Sequence, residues 1–222
     1  KRELYSFRRH IGSNLALWFF LPLILFLVLA LPLNRLIHNV NGLNYLNWAA
    51  PGIWISSAFI TTYISSFYRT NHIINTSSVL LTYLKSPIST WTIQWAMVIW
   101  GFLAGMIQLI ISMAFIGLIN SDIYAVTKWG GIFIAILPLV LFAAILGNII
   151  GTWVRNNVSG SSLHTIIMIM FIFGAGLFIP YSFFPPSLVE TLKLFPLIHN
   201  IAAVQKLVVY TQAEVAGPVT LL

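Results

Sequence analysis

Hydroxyl side chains recur at a four-residue spacing in the second apolar stretch of the chain. Ser57, Thr61 and Ser65 share this spacing, so they form one stripe if the stretch is helical. Such a stripe can line the path of a polar solute, and it can also pack one membrane helix against another. Both interpretations, a substrate pathway and helix packing, remain open at this point.

Groups that carry out acid–base or metal chemistry are sparse. The chain has four acidic residues, five histidines and no cysteine. No two acids are neighbours, and the histidines show no HExxH spacing, so we expect no catalytic site and no metal site. His164 lies near the end of an apolar stretch, where an ionisable group is either functional or hydrogen-bonded to a neighbour. We expect the second.

Motifs for ATP hydrolysis and for ion coupling are not found in the sequence. No GxxxxGK[ST] occurs, so any ATP chemistry must come from another polypeptide. Carriers driven by ion gradients bury ionisable groups near the membrane centre. Apart from hydroxyls and glycines, the polar residues in the centres of the apolar stretches are Gln108 and Asn148.

The composition indicates an all-α polytopic membrane protein. Hydrophobic residues make up 59% and charged residues 7% of the chain, against roughly 25% charged residues in soluble domains. Several apolar runs approach the roughly 20 residues that a helix needs to cross a bilayer. The net charge of +7 is spread among the connections, which indicates membrane orientation and not nucleic-acid binding.

Five complete spans and the start of a sixth are predicted. They cover approximately residues 14–33, 51–68, 90–119, 131–154 and 161–179, with the sixth starting at 216–222. Pro51 suits the first position of the second helix. Trp129 and Trp153 bracket the fourth span and suit its two interfaces. Small-xxx-small pairs predict close helix packing; they are Gly101 with Gly105 and Gly147 with Gly151.

The two ends of the chain differ in character. Residues 1–12 mix basic and apolar side chains, which predicts either an interfacial helix or a disordered basic lead-in. Residues 180–210 are broken by Pro180, Pro185, Pro186 and Pro196 into short pieces that re-enter the outer leaflet, with a further amphipathic piece at 201–210. The chain starts at Lys1 and its last apolar run stops at Leu222, so we expect a trimmed chain.

The basic residues predict the orientation. Seven Lys and Arg side chains fall on the side of the N-terminus and four on the other side. The excess places the N-terminus in the cytoplasm. The connection between spans two and three, residues 69–90, is therefore predicted to be cytoplasmic.

This connection contains a short amphipathic helix. Thr76 is placed to cap its start, Pro87 ends it, and Ser89 or Thr90 is placed to cap the next span. One face of the helix carries apolar side chains; they are Val79, Leu80, Tyr83 and Leu84. An apolar face of this kind needs burial in the membrane interface or in the groove of a partner protein.

Four segments together resemble the membrane subunit of an ABC-2 type (type V) ABC transporter. Pro51-Gly52 after NYLNWAA, the connection TSSVLLTYLKSPIS, GNIIGTWVRN at the end of span four, and FGAGLFIPYSFFPPSLVETLKLFPLIHN after span five occur in the family's order. The resemblance covers nearly the whole chain. Each motif is loose by itself, and their order and spacing make the resemblance fairly specific.

The resemblance implies a six-span permease in the cytoplasmic membrane of a prokaryote, paired with a second copy or a homologous permease. It implies a separate cytoplasmic ATPase subunit, which holds ATP and Mg²⁺, while this chain carries no cofactor. The connection would be the coupling helix, residues 76–86, and contact with the ATPase would fall on Thr76, Val79, Leu80, Tyr83, Leu84, Lys85 and Pro87. The 180–210 pieces would be the re-entrant helices, and we expect residues 216–222 to be only the start of span six.

Two other classes remain as alternatives. The chain could be an ion-coupled carrier or channel that works without an ATPase, or a membrane-embedded enzyme or assembly subunit. The sequence does not distinguish drug, lipid, glycan and peptide substrates.

Overall fold

The structure, a computed structural model, describes residues 11–40, 42–85, 87–120, 129–154, 157–193 and 196–215. The predicted interfacial helix falls almost wholly on residues 1–10, outside the described residues. The predicted start of span six, residues 216–222, also lies outside them.

Helices make up most of the described chain, with one short hairpin and two irregular turns. In chain order they are α1 (Ile11–Leu25), a π-helical turn (Phe26–Ala30), α2 (Leu31–Leu36), β1 (Asn39–Val40), β2 (Leu43–Asn44), α3 (Tyr45–Asn75), α4 (Ser77–Leu84), α5 (Thr90–Ile119), α6 (Trp129–Trp153), α7 (Asn157–Gly174), a 3-10 turn (Tyr181–Phe183), α8 (Pro186–Lys193) and α9 (Pro196–Val215).

Three of the described helical stretches are long and apolar enough to cross a membrane: Trp18–Leu36, Thr90–Ile119 and Trp129–Trp153. α7 contains a shorter apolar stretch, Ser162–Gly174. α3 has 31 residues, which is ample length, but its polar side chains keep it out of this group. The first half of α3 is instead enclosed by other parts of the chain, and every residue from Trp48 to Phe59 is buried.

The first predicted span is a helical rod with two prolines. Pro22 lies inside α1, and Pro32 lies in the first turn of α2, directly after the π-helical turn. Proline removes a backbone donor and crowds the preceding turn. A widened π turn is a common local adjustment to such a defect.

The start of α3 differs from the prediction. β1 and β2 form an antiparallel hairpin, and the helix begins directly after it at Tyr45. The Asn44 side chain caps it by accepting from the Leu46 N–H at 3.0 Å. The predicted start at Pro51 is therefore wrong, because Asn44 supplies a cap two turns earlier. The helix also continues to Asn75, beyond the predicted end at residue 68.

The other boundaries agree to different degrees. α5 has the predicted bounds, and α6 begins and ends at the two bracketing tryptophans. α7 ends at Gly174, five residues before the predicted end, and α9 is one helix of 20 residues where a piece at 201–210 was predicted. The prolines of the 180–210 region stand before or at the start of helices, as their missing donor requires.

Candidate substrate pathway and coupling element

Two glycines of α5 pack against hydroxyl residues of α3. A Cβ added at Gly101 would lie 2.8 Å from the Ser66 Cβ, and one at Gly105 would overlap the Thr62 Oγ1. Thr62 donates its hydroxyl to the Ala58 carbonyl at 2.7 Å. The absence of side chains at the two glycines therefore brings the α5 backbone onto the hydroxyl-bearing side of α3.

Two glycines of α6 pack against the neighbouring side of α3. A Cβ at Gly147 would overlap the Tyr63 carbonyl oxygen, and one at Gly151 would lie 2.9 Å from the Phe67 carbonyl oxygen. Ser66 donates its hydroxyl to the Ala144 carbonyl of α6 at 2.7 Å. Both glycine pairs thus face α3, which is the common packing partner of α5 and α6.

The stripe of Ser57, Thr61 and Ser65 runs from a buried to a partly exposed environment. Ser57 is fully buried and donates to the Trp54 carbonyl at 3.0 Å. Thr61 is also buried, and its hydroxyl oxygen has no hydrogen-bond partner among the described residues. Ser65 is partly exposed, and the same side of the helix continues to Tyr68, which is 61% exposed. The stripe therefore opens toward the α4 end of α3.

His164 of α7 contacts aromatic side chains of α3. Its Nδ1 lies 2.7 Å from the Tyr63 hydroxyl, and its ring meets Phe67 edge-on with centroids 4.0 Å apart. The expected hydrogen bond to a neighbour is confirmed. Among the described residues, no group of three or more His, Asp or Glu side chains is placed to hold a metal ion.

α4 lies directly after α3 in the chain. Thr76 occupies the capping position of α4, but its hydroxyl makes no capping bond and lies 3.4 Å from the His72 Nδ1. Lys85 is the C-cap residue of α4, and Pro87, two residues later, is exposed. Ser89 caps α5 by accepting from the Thr92 N–H at 3.2 Å, as one of the two predicted caps.

The apolar residues predicted for the coupling contact have different environments. Val79 and Tyr83 are each partly buried against the chain itself, whereas Leu81 is 52% exposed and Lys85 is also exposed. The side chains of Leu80 and Leu84 lie outside the described part. Leu81, which the sequence pattern did not select, is therefore the apolar side chain of α4 most available to a partner among those described.

An irregular segment is buried at the opposite end of α3. Residues 175–178 are non-helical and buried, so their carbonyl groups need donors. Tyr45 of α3 donates to the Phe178 carbonyl at 2.7 Å, and Gln205 of α9 donates to the Gly176 carbonyl at 3.0 Å. Tyr181 donates to the Ala175 carbonyl at 2.7 Å.

Two glycines make this arrangement possible. A Cβ at Gly52 of α3 would overlap the Leu177 carbonyl oxygen. Gly176 has φ +68°, and a Cβ there would lie 2.5 Å from the Tyr181 ring. The buried segment therefore requires glycine both in itself and in the helix that it touches.

One polar contact compensates for a proline. The helical partner of the Trp18 carbonyl would be the N–H of residue 22, which is proline and has none. Gln108 of α5 donates to this carbonyl at 2.9 Å. The sequence shows both a span with a proline and a span with a central amide, but not that they meet.

Comparison with known proteins gives a family match. A family model described as an ABC-2 family transporter protein matches residues 38–222, a range that includes the hairpin and α3 to α9. No curated protein and no solved structure matches the chain.

Proposed function

The chain belongs to the ABC-2 transporter family and is an integral membrane protein, and from this we propose that it is the permease subunit of an ATP-driven exporter. In this proposal two permease subunits form the substrate pathway, and a separate cytoplasmic ATPase binds ATP and Mg²⁺. The N-terminus and α4 are cytoplasmic, and the membrane is the cytoplasmic membrane of a prokaryote.

The observation that carries the proposal is the direct connection between α4 and α3. α3 ends at Asn75 and α4 begins at Ser77, so one residue separates them. The α3 helix is held to α5 and α6 by close glycine contacts, and tightly packed helices move as units. A displacement of α4 by an ATPase would therefore reach the hydroxyl stripe without a flexible link.

The pathway is assigned to the open side of α3. Ser57, Thr61 and Ser65 lie on the side that passes from buried to exposed toward α4. In the proposal a second permease subunit faces this side, so that the stripe meets the space between the two subunits at its partly exposed end, Ser65. Solute leaves near the buried segment at residues 175–178, at the other end of α3.

Leu81→Asp tests the contact with the ATPase. The exposed Leu81 side chain lies on α4, and a charge there opposes burial in a partner's groove. We expect the variant to reduce permease-stimulated ATP hydrolysis about tenfold, equivalent to about 1.4 kcal/mol, without a change in unfolding temperature. Tyr83→Ala is expected to act in the same direction.

Leu36→Asp is the matched control. Leu36 is 79% exposed and ends α2, on the hairpin side, away from α4. It should keep both co-purification of the ATPase and stimulated hydrolysis. Full stimulation in both Leu81→Asp and Tyr83→Ala would contradict the assignment of α4. Solute movement by the chain reconstituted alone, along a gradient, would instead favour the carrier or channel.

A further inference from the structure

A groove of about 530 Å³ lies between α5 and α6 on the α4 side. Its volume falls in the range of roughly 300–1,000 Å³ that is usual for ligand sites. Nine residues line it; they are Thr90, Trp91, Gln94, Trp95 and Val98 of α5 and Ile145, Asn148, Ile149 and Thr152 of α6. None of them belongs to the hydroxyl stripe or to α4.

The lining changes from polar to apolar along the helix axes. α5 begins at Thr90, and α6 ends one residue after Thr152, so these two hydroxyl residues stand at the same end of the groove. Val98 and Ile145 lie about two turns deeper, roughly 10–12 Å along the axes at 1.5 Å per residue. The groove therefore suits a molecule with a hydrogen-bonding end and an apolar end, aligned across the membrane.

A hydrogen bond between the two helices makes the groove a formed site. Asn148 donates its amide to the Gln94 carbonyl at 3.0 Å and is itself 5% exposed. This bond connects α5 to α6 within the groove lining. The spacing of the two walls is thereby set by the protein before any ligand binds.

The groove opens onto the uncovered surface of α5. Trp91 is 75% exposed and Trp95 is 50% exposed. The same surface continues along the spanning helix with large exposed apolar side chains; they are Ile99, Leu103, Ile107 and Ile110. A membrane-spanning helix presents such a surface to lipid, and tryptophan is favoured where hydrocarbon meets the headgroups. The groove is thus continuous with the lipid-facing surface.

We propose that the groove binds one glycerophospholipid molecule from the leaflet on the α4 side. One acyl chain lies along Val98 and Ile145, the two indoles cover it, and the polar end meets Thr90 and Thr152. The proposal requires only that α5 and α6 span the membrane, and it is independent of ATPase coupling.

Native mass spectrometry of the purified full chain in mild detergent tests this site. The probe is 1-palmitoyl-2-oleoyl-phosphatidylglycerol, added back after stepwise removal of bound lipid. The wild-type chain should retain one lipid after the others are lost. The double variant Trp91→Leu/Trp95→Leu should bind it about tenfold more weakly, because two aromatic contacts are lost.

Trp153→Leu is the control for the double variant. Trp153 is 81% exposed and does not line the groove, so its replacement should leave retention unchanged. Ile145→Trp fills the groove and should abolish retention, while Leu141→Trp, one turn away and outside the lining, should not. If Ile145→Trp does not fold, the test of the site rests on Trp91→Leu/Trp95→Leu, because the two exposed tryptophans are not needed for packing.

Four results would overturn the proposal. Equal lipid retention in all variants would show only a non-specific lipid shell, and no retained lipid would show no site. Release of the bound lipid during ATP turnover, with its appearance in the opposite leaflet, would make the molecule a transported substrate and not a resident lipid. A changed oligomer mass in the double variant would assign the groove to a subunit contact.

Discussion

The two ends of α3 have opposite surroundings. At the hairpin end, every residue from Trp48 to Phe59 is buried, and Tyr45 and Gly52 contact the irregular segment at 175–178. At the α4 end, Tyr68 and His72 are exposed, and the next helix is the short α4 with its exposed Leu81. One continuous helix therefore joins a fixed end to an open end.

This difference predicts that the hairpin end of α3 contributes stability and that the α4 end is free to move. Elements that move in a functional cycle are drawn from the less stable parts of a structure. Both ends have close backbone contacts with neighbouring segments, but the hairpin end is buried over a continuous stretch, whereas the α4 end has one uncovered side. Substitutions at the hairpin end should therefore reduce stability more than comparable substitutions toward α4.

The largest effect is expected for Gly52→Ala. The new Cβ would overlap the Leu177 carbonyl oxygen, which is backbone and cannot rotate away. We expect a loss of about 3 kcal/mol of unfolding free energy, at the upper end for overpacking. Gly151→Ala, nearer the α4 end, places its Cβ 2.9 Å from the Phe67 carbonyl oxygen and should cost about 1 kcal/mol. Thermal unfolding in detergent, followed by tryptophan fluorescence, measures both.

Gly130→Ala is the control for these two changes. Nothing lies within 4 Å of a Cβ at this position, so its unfolding temperature should match that of the wild type. Equal losses for Gly52→Ala and Gly151→Ala would remove the proposed asymmetry between the ends of α3.

Gly176→Ala should have the next largest effect, about 2 kcal/mol. Part of it is the backbone cost of a left-handed conformation for a residue with a Cβ, about 1 kcal/mol. The remainder is the contact with the Tyr181 ring. Gly42→Ala isolates the first part, because Gly42 has φ +81° and nothing within 4 Å of its Cβ. A loss no larger than that of Gly42→Ala would mean that the Tyr181 contact adds nothing.

Gln108→Leu is expected to cost about 1–2 kcal/mol, because it removes the amide that donates to the buried Trp18 carbonyl. Pro22→Ala restores a backbone N–H to the turn that follows Trp18. In the Pro22→Ala background, Gln108→Leu should therefore reduce the unfolding free energy by clearly less. A double-mutant cycle of unfolding free energies measures the coupling, and an additive result would refute the link to Pro22.

The smallest effect on stability is expected for Thr61→Val, at the point where α3 begins to open. The Thr61 hydroxyl oxygen has no partner among the described residues, so its loss should change the unfolding free energy by less than about 0.5 kcal/mol. Thr62→Val is the comparison, because Thr62 donates to the Ala58 carbonyl and should be more destabilising. If the stripe is a pathway, Thr61→Val alters transport at unchanged stability. If it only packs helices, transport is unaffected.

The sequence predicts those elements whose signals are local. The bounds of α5 follow from an apolar run with a Ser89 cap, and α6 is delimited by its two tryptophans. The position of α4 follows from its apolar spacing and from Pro87. In each case the residues that determine the element lie within it or next to it.

The true length of α3 was not predictable in the same way. Its polar side chains make it a poor membrane span by composition, and its stability depends on other helices that enclose it. The contact of Tyr45 with Phe178 joins residues 133 positions apart, and Gln108 meets Trp18 across 90 positions. No periodicity in a single sequence specifies such pairs.

The same limit applies to the candidate sites. The stripe of Ser57, Thr61 and Ser65 is visible in the sequence, but its passage from closed to open depends on which helices cover α3. The exposure of Leu81 likewise depends on how α4 lies against the chain. The sequence therefore identifies the elements of the site, and tertiary packing determines which side chains are accessible.

The buried segment at 175–178 also constrains the order of biogenesis. Its Phe178 carbonyl accepts from Tyr45, made early in synthesis, and its Gly176 carbonyl accepts from Gln205, made 29 residues after Gly176. A nascent chain that stops before α9 would hold an unsatisfied backbone among membrane helices, which is costly. The segment should therefore dock only after α9 has emerged from the ribosome, and protease protection of chains of increasing length would time that step.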